Sequence, residues 1–144
     1  MKSNTIPAGY HTVTPYLTVA GAADLIEFLK QAFAAREKER ITQPDGTISH
    51  AEVIVGDSVI MLGEPKAECK PMGGAFYLYV EEVDAVYQRA LTAGASPVMA
   101  PANQFWGDRM ATVNDRFGNL WHVATRIEEV STGELQRRIA AMAG

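Results

Sequence analysis

Tyr16-Leu17-Thr18-Val19 returns 61 residues later as Tyr77-Leu78-Tyr79-Val80, and the same offset lays Ser58-Val59-Ile60-Met61-Leu62 on Asn119-Leu120-Trp121-His122-Val123. One offset thus aligns an early and a late strand-like segment of each half, which marks an internal duplication. Between those segments, Ala22 to Ala35 carries Leu25, Phe28, Leu29, Ala32 and Phe33 on one helical stripe. That spacing predicts an amphipathic helix. Glu39–Thr42 and Thr47–Val55 flank Gln43-Pro44-Asp45-Gly46, whose Pro and Gly supply the backbone angles of a hairpin reversal. Gly56-Asp57 then turns the chain into Ser58–Leu62, so the first half reads βαβββ.

After the loop Gly63–Gly74 the pattern restarts. Ala75–Val80 reads as a strand, and Val83, Val86, Tyr87, Ala90 and Leu91 mark a helix that Gly94 terminates. The expected fold class is α+β, with two βαβββ modules, about 13–63 and 74–126, forming curved mixed sheets around a shared cleft in one domain spanning 1–144. Ser131-Thr132-Gly133-Glu134 has the form of a capping box, in which Ser131 and Glu134 each meet a free backbone donor. It predicts a short helix over about 131–142, whose stripe Leu135, Ile139 and Met142 packs either on its own domain or on a second subunit.

A chain of 144 residues that is 47% hydrophobic and 21% charged can bury a core, which excludes extended disorder. Thirteen Lys and Arg against seventeen Asp and Glu leave a net charge of −4, and the basic residues are scattered, so nucleic acid is not an expected partner. No apolar run approaches the ~18 residues that span a bilayer, so no membrane partner is expected either. The single Cys69 sits in a loop and cannot form an internal disulfide, which fits a reducing, cytoplasmic setting. No nucleophile–base pair, Gly-rich phosphate loop or cysteine–histidine metal cluster is visible.

Five motifs carry a resemblance: Val13-Thr14-Pro15-Tyr16-Leu17, His50-Ala51-Glu52, Gly56-Asp57-Ser58-Val59-Ile60-Met61-Leu62, Gln104-Phe105-Trp106-Gly107-Asp108-Arg109 and Asp115-Arg116-Phe117-Gly118-Asn119-Leu120-Trp121-His122. With the tail Ile127–Ser131 they resemble the vicinal oxygen chelate superfamily, the glyoxalase, bleomycin-resistance and extradiol-dioxygenase group, and within it the PhnB-like subgroup. The resemblance covers Val13 to Arg126 and implies paired βαβββ modules. It also implies a divalent metal held from the first and last strand of each module, at positions that fall here on Thr14, Met61, Ala75 and His122. Of these only His122 binds such an ion in the usual way, so neither a metal nor another cofactor is expected. His50 and Glu52, two apart on one strand face, offer a non-standard ligand pair that His122 would join; the other reading is a solvated or hydrogen-bonded pair.

Strand parity separates two faces. Leu17, Val19, Ile60, Leu62, Phe76, Leu78, Val80, Trp121 and Val123 form an apolar set suited to packing under helices, and the opposite parity holds Tyr16, Met61, Tyr77, Tyr79 and His122. Trp106 is expected at the rim, with Gly107 allowing a close turn, and Arg109 is expected to meet either a ligand carboxylate or a neighbouring acid. The expected ligand-binding residues are Tyr16, His50, Met61, Tyr77, Tyr79, Trp106, Arg109 and His122. The function they imply is metal-free binding of an aromatic or amphipathic small organic ligand. The alternative is a metal-dependent lyase, isomerase or dioxygenase with a His/Glu site. Open sheet edges in so short a chain imply a homodimer.

Overall fold

The computed structural model describes residues 5–144. The first module consists of β1 (Tyr16–Thr18), α1 (Ala22–Phe33), β2 (Arg36–Thr42), β3 (Ile48–Val55) and β4 (Ser58–Gly63). The second consists of β5 (Ala75–Tyr79), α2 (Val83–Thr92), β6 (Ser96–Asn103), β7 (Asp108–Asn114) and β8 (Leu120–Arg126), and α3 (Thr132–Ala143) follows. Each module forms one four-stranded mixed sheet, ordered β1-β4-β3-β2 and β5-β8-β7-β6. In both, the first strand runs parallel to the last, and the other neighbours are antiparallel.

The duplication survives in the register. Tyr16 pairs with Met61, and the residues 61 positions on, Tyr77 and His122, pair in the same way. The apolar parity packs as alternation requires: Leu17, Val19, Ile60, Leu62, Trp121 and Val123 are buried, whereas Phe76 and Leu78 on β5 are only half-buried. α1 packs on α2, and Phe33 meets Trp121 of the other module with ring centroids 5.1 Å apart, so one core runs through both modules.

Several boundaries move. β1 ends at Thr18, one residue short of Val19, and α1 stops at Phe33 because Ala34 takes a left-handed conformation, φ 56°. β2 begins at Arg36, earlier than Glu39. The start of α1 lacks an ordinary capping side chain; the Glu64 carboxylate accepts from Gly21 N at 3.1 Å and Ala22 N at 2.9 Å. The box before α3 forms by half. Ser131 Oγ accepts from Glu134 N at 3.2 Å, while the Glu134 carboxylate pairs with Arg137 and Arg138. α3 buries no residue of its own and is tied down by Arg138, which donates to the Phe105 carbonyl at 2.7 Å and pairs with Glu128. Among the described residues, no helix is long and apolar enough to cross a membrane.

Candidate functional site

Across each sheet one row of side chains crosses the face turned away from the helices. In the first it runs Tyr16, Met61, Glu52, Glu39; in the second it runs Tyr77, His122, Thr112, Met99. The expected site residues divide between these two faces.

On the second sheet, Asp108 is fully buried at the start of β7 and gathers the aromatic residues around its carboxylate. Tyr77 Oη donates to Asp108 Oδ2 at 2.7 Å, Tyr79 Oη at 2.9 Å and Trp106 Nε1 at 3.2 Å, while Arg126 Nε donates to Oδ1 at 2.6 Å. Burial alone would raise the Asp108 pKa; the donors from Arg126, Tyr77 and Tyr79 outweigh it and hold the carboxyl below the usual carboxylate range. Conversely, burial together with the acceptor Asp108 pushes the Tyr77 hydroxyl up to about 12.

Trp106 also donates to Tyr77 Oη at 3.0 Å, and Tyr77 stands 5.4 Å from Tyr79 and 5.8 Å from His122, ring centre to ring centre. Gly107 makes this turn possible. Its φ is 100°, and a Cβ there would run into the Glu128 carbonyl. Tyr77, Tyr79 and Trp106 are thus held by hydrogen bonds while Tyr77 and Tyr79 stay exposed.

On the first sheet, Glu52 is buried on β3 and accepts from Tyr10 Oη and from His50 Nε2, the latter at 2.8 Å. Tyr16 Oη lies 3.2 Å from His50 Nδ1, and Lys38 Nζ donates to Tyr10 Oη at 2.6 Å. A cavity of about 660 Å3 adjoins this group, lined in part by Tyr10, Thr14, Lys38, Glu39, Glu52 and Met61. A second cavity, about 1050 Å3, runs between the modules beside β5, with Phe33, Ile60, Phe76, Leu78 and Trp121 in its wall.

Arg109 falls elsewhere, and His122 does not join His50 and Glu52. Arg109 shares parity with the buried Ala111 and Val113 and so turns to the helix side, where it forms a two-pronged pair with Asp84 at 2.8 and 3.0 Å and a bond to Asn103. His122 lies on the other sheet from His50 and Glu52, and its Nδ1 sits 2.9 Å from Thr112 Oγ1. The third member beside His50 and Glu52 is Glu39, with one ligand-type atom of each within 4.8 Å of the others. Glu52 is already held by hydrogen bonds, and the Lys38 ammonium supplies positive charge to it, so the trio reads as a satisfied polar network. At the family's metal positions, Ala75 has no donor atom, Met61 offers a soft thioether and Thr14 a weak hydroxyl, which leaves His122 as the one ordinary ligand. That set does not fit a Zn-, Mn- or Fe-type ion.

Residues 10–123 match the profile of the Glyoxalase/Bleomycin resistance protein/Dioxygenase superfamily, and the chain belongs to that superfamily. Uncharacterized proteins of Mycobacterium bovis and Mycobacterium tuberculosis are 35% identical to it over 98% of its length, covering 97% and 87% of those proteins. Among solved structures, TioX from Micromonospora sp. ML1 superposes with a TM-score of 0.69 at 23% identity, over 81% of this chain and 99% of that one. A Bacillus cereus PhnB protein, described as a putative 3-demethylubiquinone-9 3-methyltransferase, gives 0.64 at 17% identity, over 80% and 99%. These likenesses establish the shared fold.

Proposed function

We propose that this chain binds a small aromatic or amphipathic molecule against Tyr77, Tyr79, Trp106 and His122, without a metal ion. The observation that carries the reading is the buried Asp108 carboxylate, which fixes three aromatic side chains before any ligand arrives. Ring surfaces ordered in advance lose little side-chain entropy on binding, so more of the stacking energy appears as affinity. The neighbouring hydroxyls and imidazole supply polar contacts for one end of such a ligand. The lone, exposed Cys69 accords with a reducing, cytoplasmic setting.

A homodimer completes the proposal. β5 is an edge strand whose Phe76 and Leu78 are half-buried beside the 1050 Å3 groove, and a second copy would cover them. Sedimentation at tens of micromolar should give a dimer; a monomer contradicts this part.

The binding reading is tested by thermal shift and tryptophan fluorescence over a panel of aromatic and amphipathic compounds. A ligand at a hundred times its Kd should add roughly 2.7 kcal/mol, a shift of several degrees. Absence of any shift across the panel, or a hit that binds Tyr77→Ala and Trp106→Ala as tightly as the parent, removes the site.

A further inference from the structure

The first sheet carries chemistry that a binding wall on the second does not use. Glu52, 5% exposed, is held ionised. Burial would raise its pKa, but the hydrogen bonds from His50 and Tyr10 and the charge of Lys38 keep it below the usual range. An ionised carboxylate only accepts hydrogen bonds, so the hydrogen between Glu52 and His50 belongs to Nε2. In the neutral imidazole Nδ1 is then the lone-pair nitrogen, and there it accepts from the Tyr16 hydroxyl 3.2 Å away.

This is an imidazole base oriented by a buried acid, with an exposed hydroxyl at its free nitrogen. The occupant of Nδ1 is displaceable. Tyr16 is 49% exposed and the His50 side chain is 26% exposed.

We propose that His50 and Tyr16 form a metal-free proton-transfer site for small carbon acids, with Glu52 as the positioning residue. The substrate's acidic C–H takes the place of the Tyr16 hydroxyl at Nδ1. The N–H bond forms as the C–H bond breaks, and the freed electron pair moves into the electron-poor part of the substrate. Tyr16 Oη–H turns to donate to the atom that gains charge, and the imidazolium then returns its proton to product or water. No oxidant or second substrate is needed. The site lies on different residues from the binding wall, so either proposal can fail alone.

The test uses 5-nitro-1,2-benzisoxazole, an aromatic carbon acid. Loss of its C3 proton breaks the N–O bond and leaves a coloured cyanophenolate. The full-length protein should turn it over saturably, roughly 100-fold faster than free imidazole at the same concentration. His50→Gln should fall to the imidazole level, and Arg109→Ala should match the parent. Glu52→Gln should lower kcat about tenfold with KM unchanged, and Glu52→Asp should recover part of that loss. Nitrogen-15 NMR of the parent, which needs no variant to fold, should show His50 protonated at Nε2. A rate no greater than that of free imidazole, full activity in His50→Gln, or the Nδ1–H tautomer overturns the proposal.

Discussion

The two sheets are copies in register and strangers in chemistry. Tyr16 beside Met61 repeats as Tyr77 beside His122, yet the next column holds a buried Glu52 in the first sheet and a Thr112 in the second. The imidazole moves with it: His50 stands on β3, beside the edge strand β2, while His122 stands on β8, beside the edge strand β5. Each sheet buries one carboxylate that collects tyrosine hydroxyls. Glu52 takes Tyr10 and leaves Tyr16 to His50; Asp108 takes Tyr77, Tyr79 and Trp106 directly. A duplicated backbone fixes where side chains stand, and the buried acid on each face gathers different partners, an imidazole and one tyrosine on the first and two tyrosines and an indole on the second.

The largest expected effect comes from removing the acid of the wall. Asp108→Ala leaves Arg126 and three aromatic donors without their buried acceptor and should cost about 3 kcal/mol, or on the order of 10 °C in Tm by calorimetry. A loss under about 1 kcal/mol would mean that the wall does not depend on Asp108. Next come Tyr77→Ala and Trp106→Ala, each of which should weaken ligand binding by about 1–3 kcal/mol in titration calorimetry through lost stacking surface.

Titration sharpens the comparison. Asp108 and Glu52 both have folded pKa values held below the usual range. Each therefore contributes stability that is present above the unfolded carboxylate pKa, about 4, and lost as pH falls through the folded value. Asp108→Asn should flatten the acid limb of a Tm–pH curve. At the alkaline end Tyr77 has the opposite sign. Its contribution is complete below the unfolded phenol pKa near 10 and fades as pH rises toward about 12, so a late step in the ultraviolet titration should vanish in Tyr77→Phe.

Glu64→Ala should cost about 1 kcal/mol by uncapping α1. Arg109→Ala should change Tm by no more than about 2 °C and leave ligand affinity alone, because its pairing with Asp84 is a surface one on the helix side.

Much of this was legible in the sequence. Alternation gave the parity of β1, β4, β5 and β8, and the 61-residue offset gave their pairing, because a strand with one buried face cannot slip by one residue without turning its apolar set outward. β2 and β6 were harder to read, since their residues are almost all exposed and β6 contains Pro97 and Pro101. Parity and motif grouped Tyr77, Tyr79, Trp106 and His122; the carboxylate that gathers the first three was not read. Asp108 looks like a turn acid between Gly107 and Arg109, and its burial arises from tertiary packing. Parity held the missing signal: Asp108 alternates with Met110 and Thr112 toward His122, whereas Arg109 alternates with the apolar Ala111 and Val113. Tyr10 reaches Glu52 across 42 positions of chain and accepts a hydrogen bond from Lys38, and no local pattern announces such a meeting.

The most direct measurement is a crystal structure of the protein with the compound that raises its Tm most. The account predicts the ligand within about 4 Å of Tyr77, Tyr79 and Trp106, with the Asp108 hydrogen bonds unchanged from those of the free protein. A ligand seated in the groove against Phe33, Ile60 and Phe76 and out of contact with Trp106, or a wall that assembles only around the ligand, would contradict it.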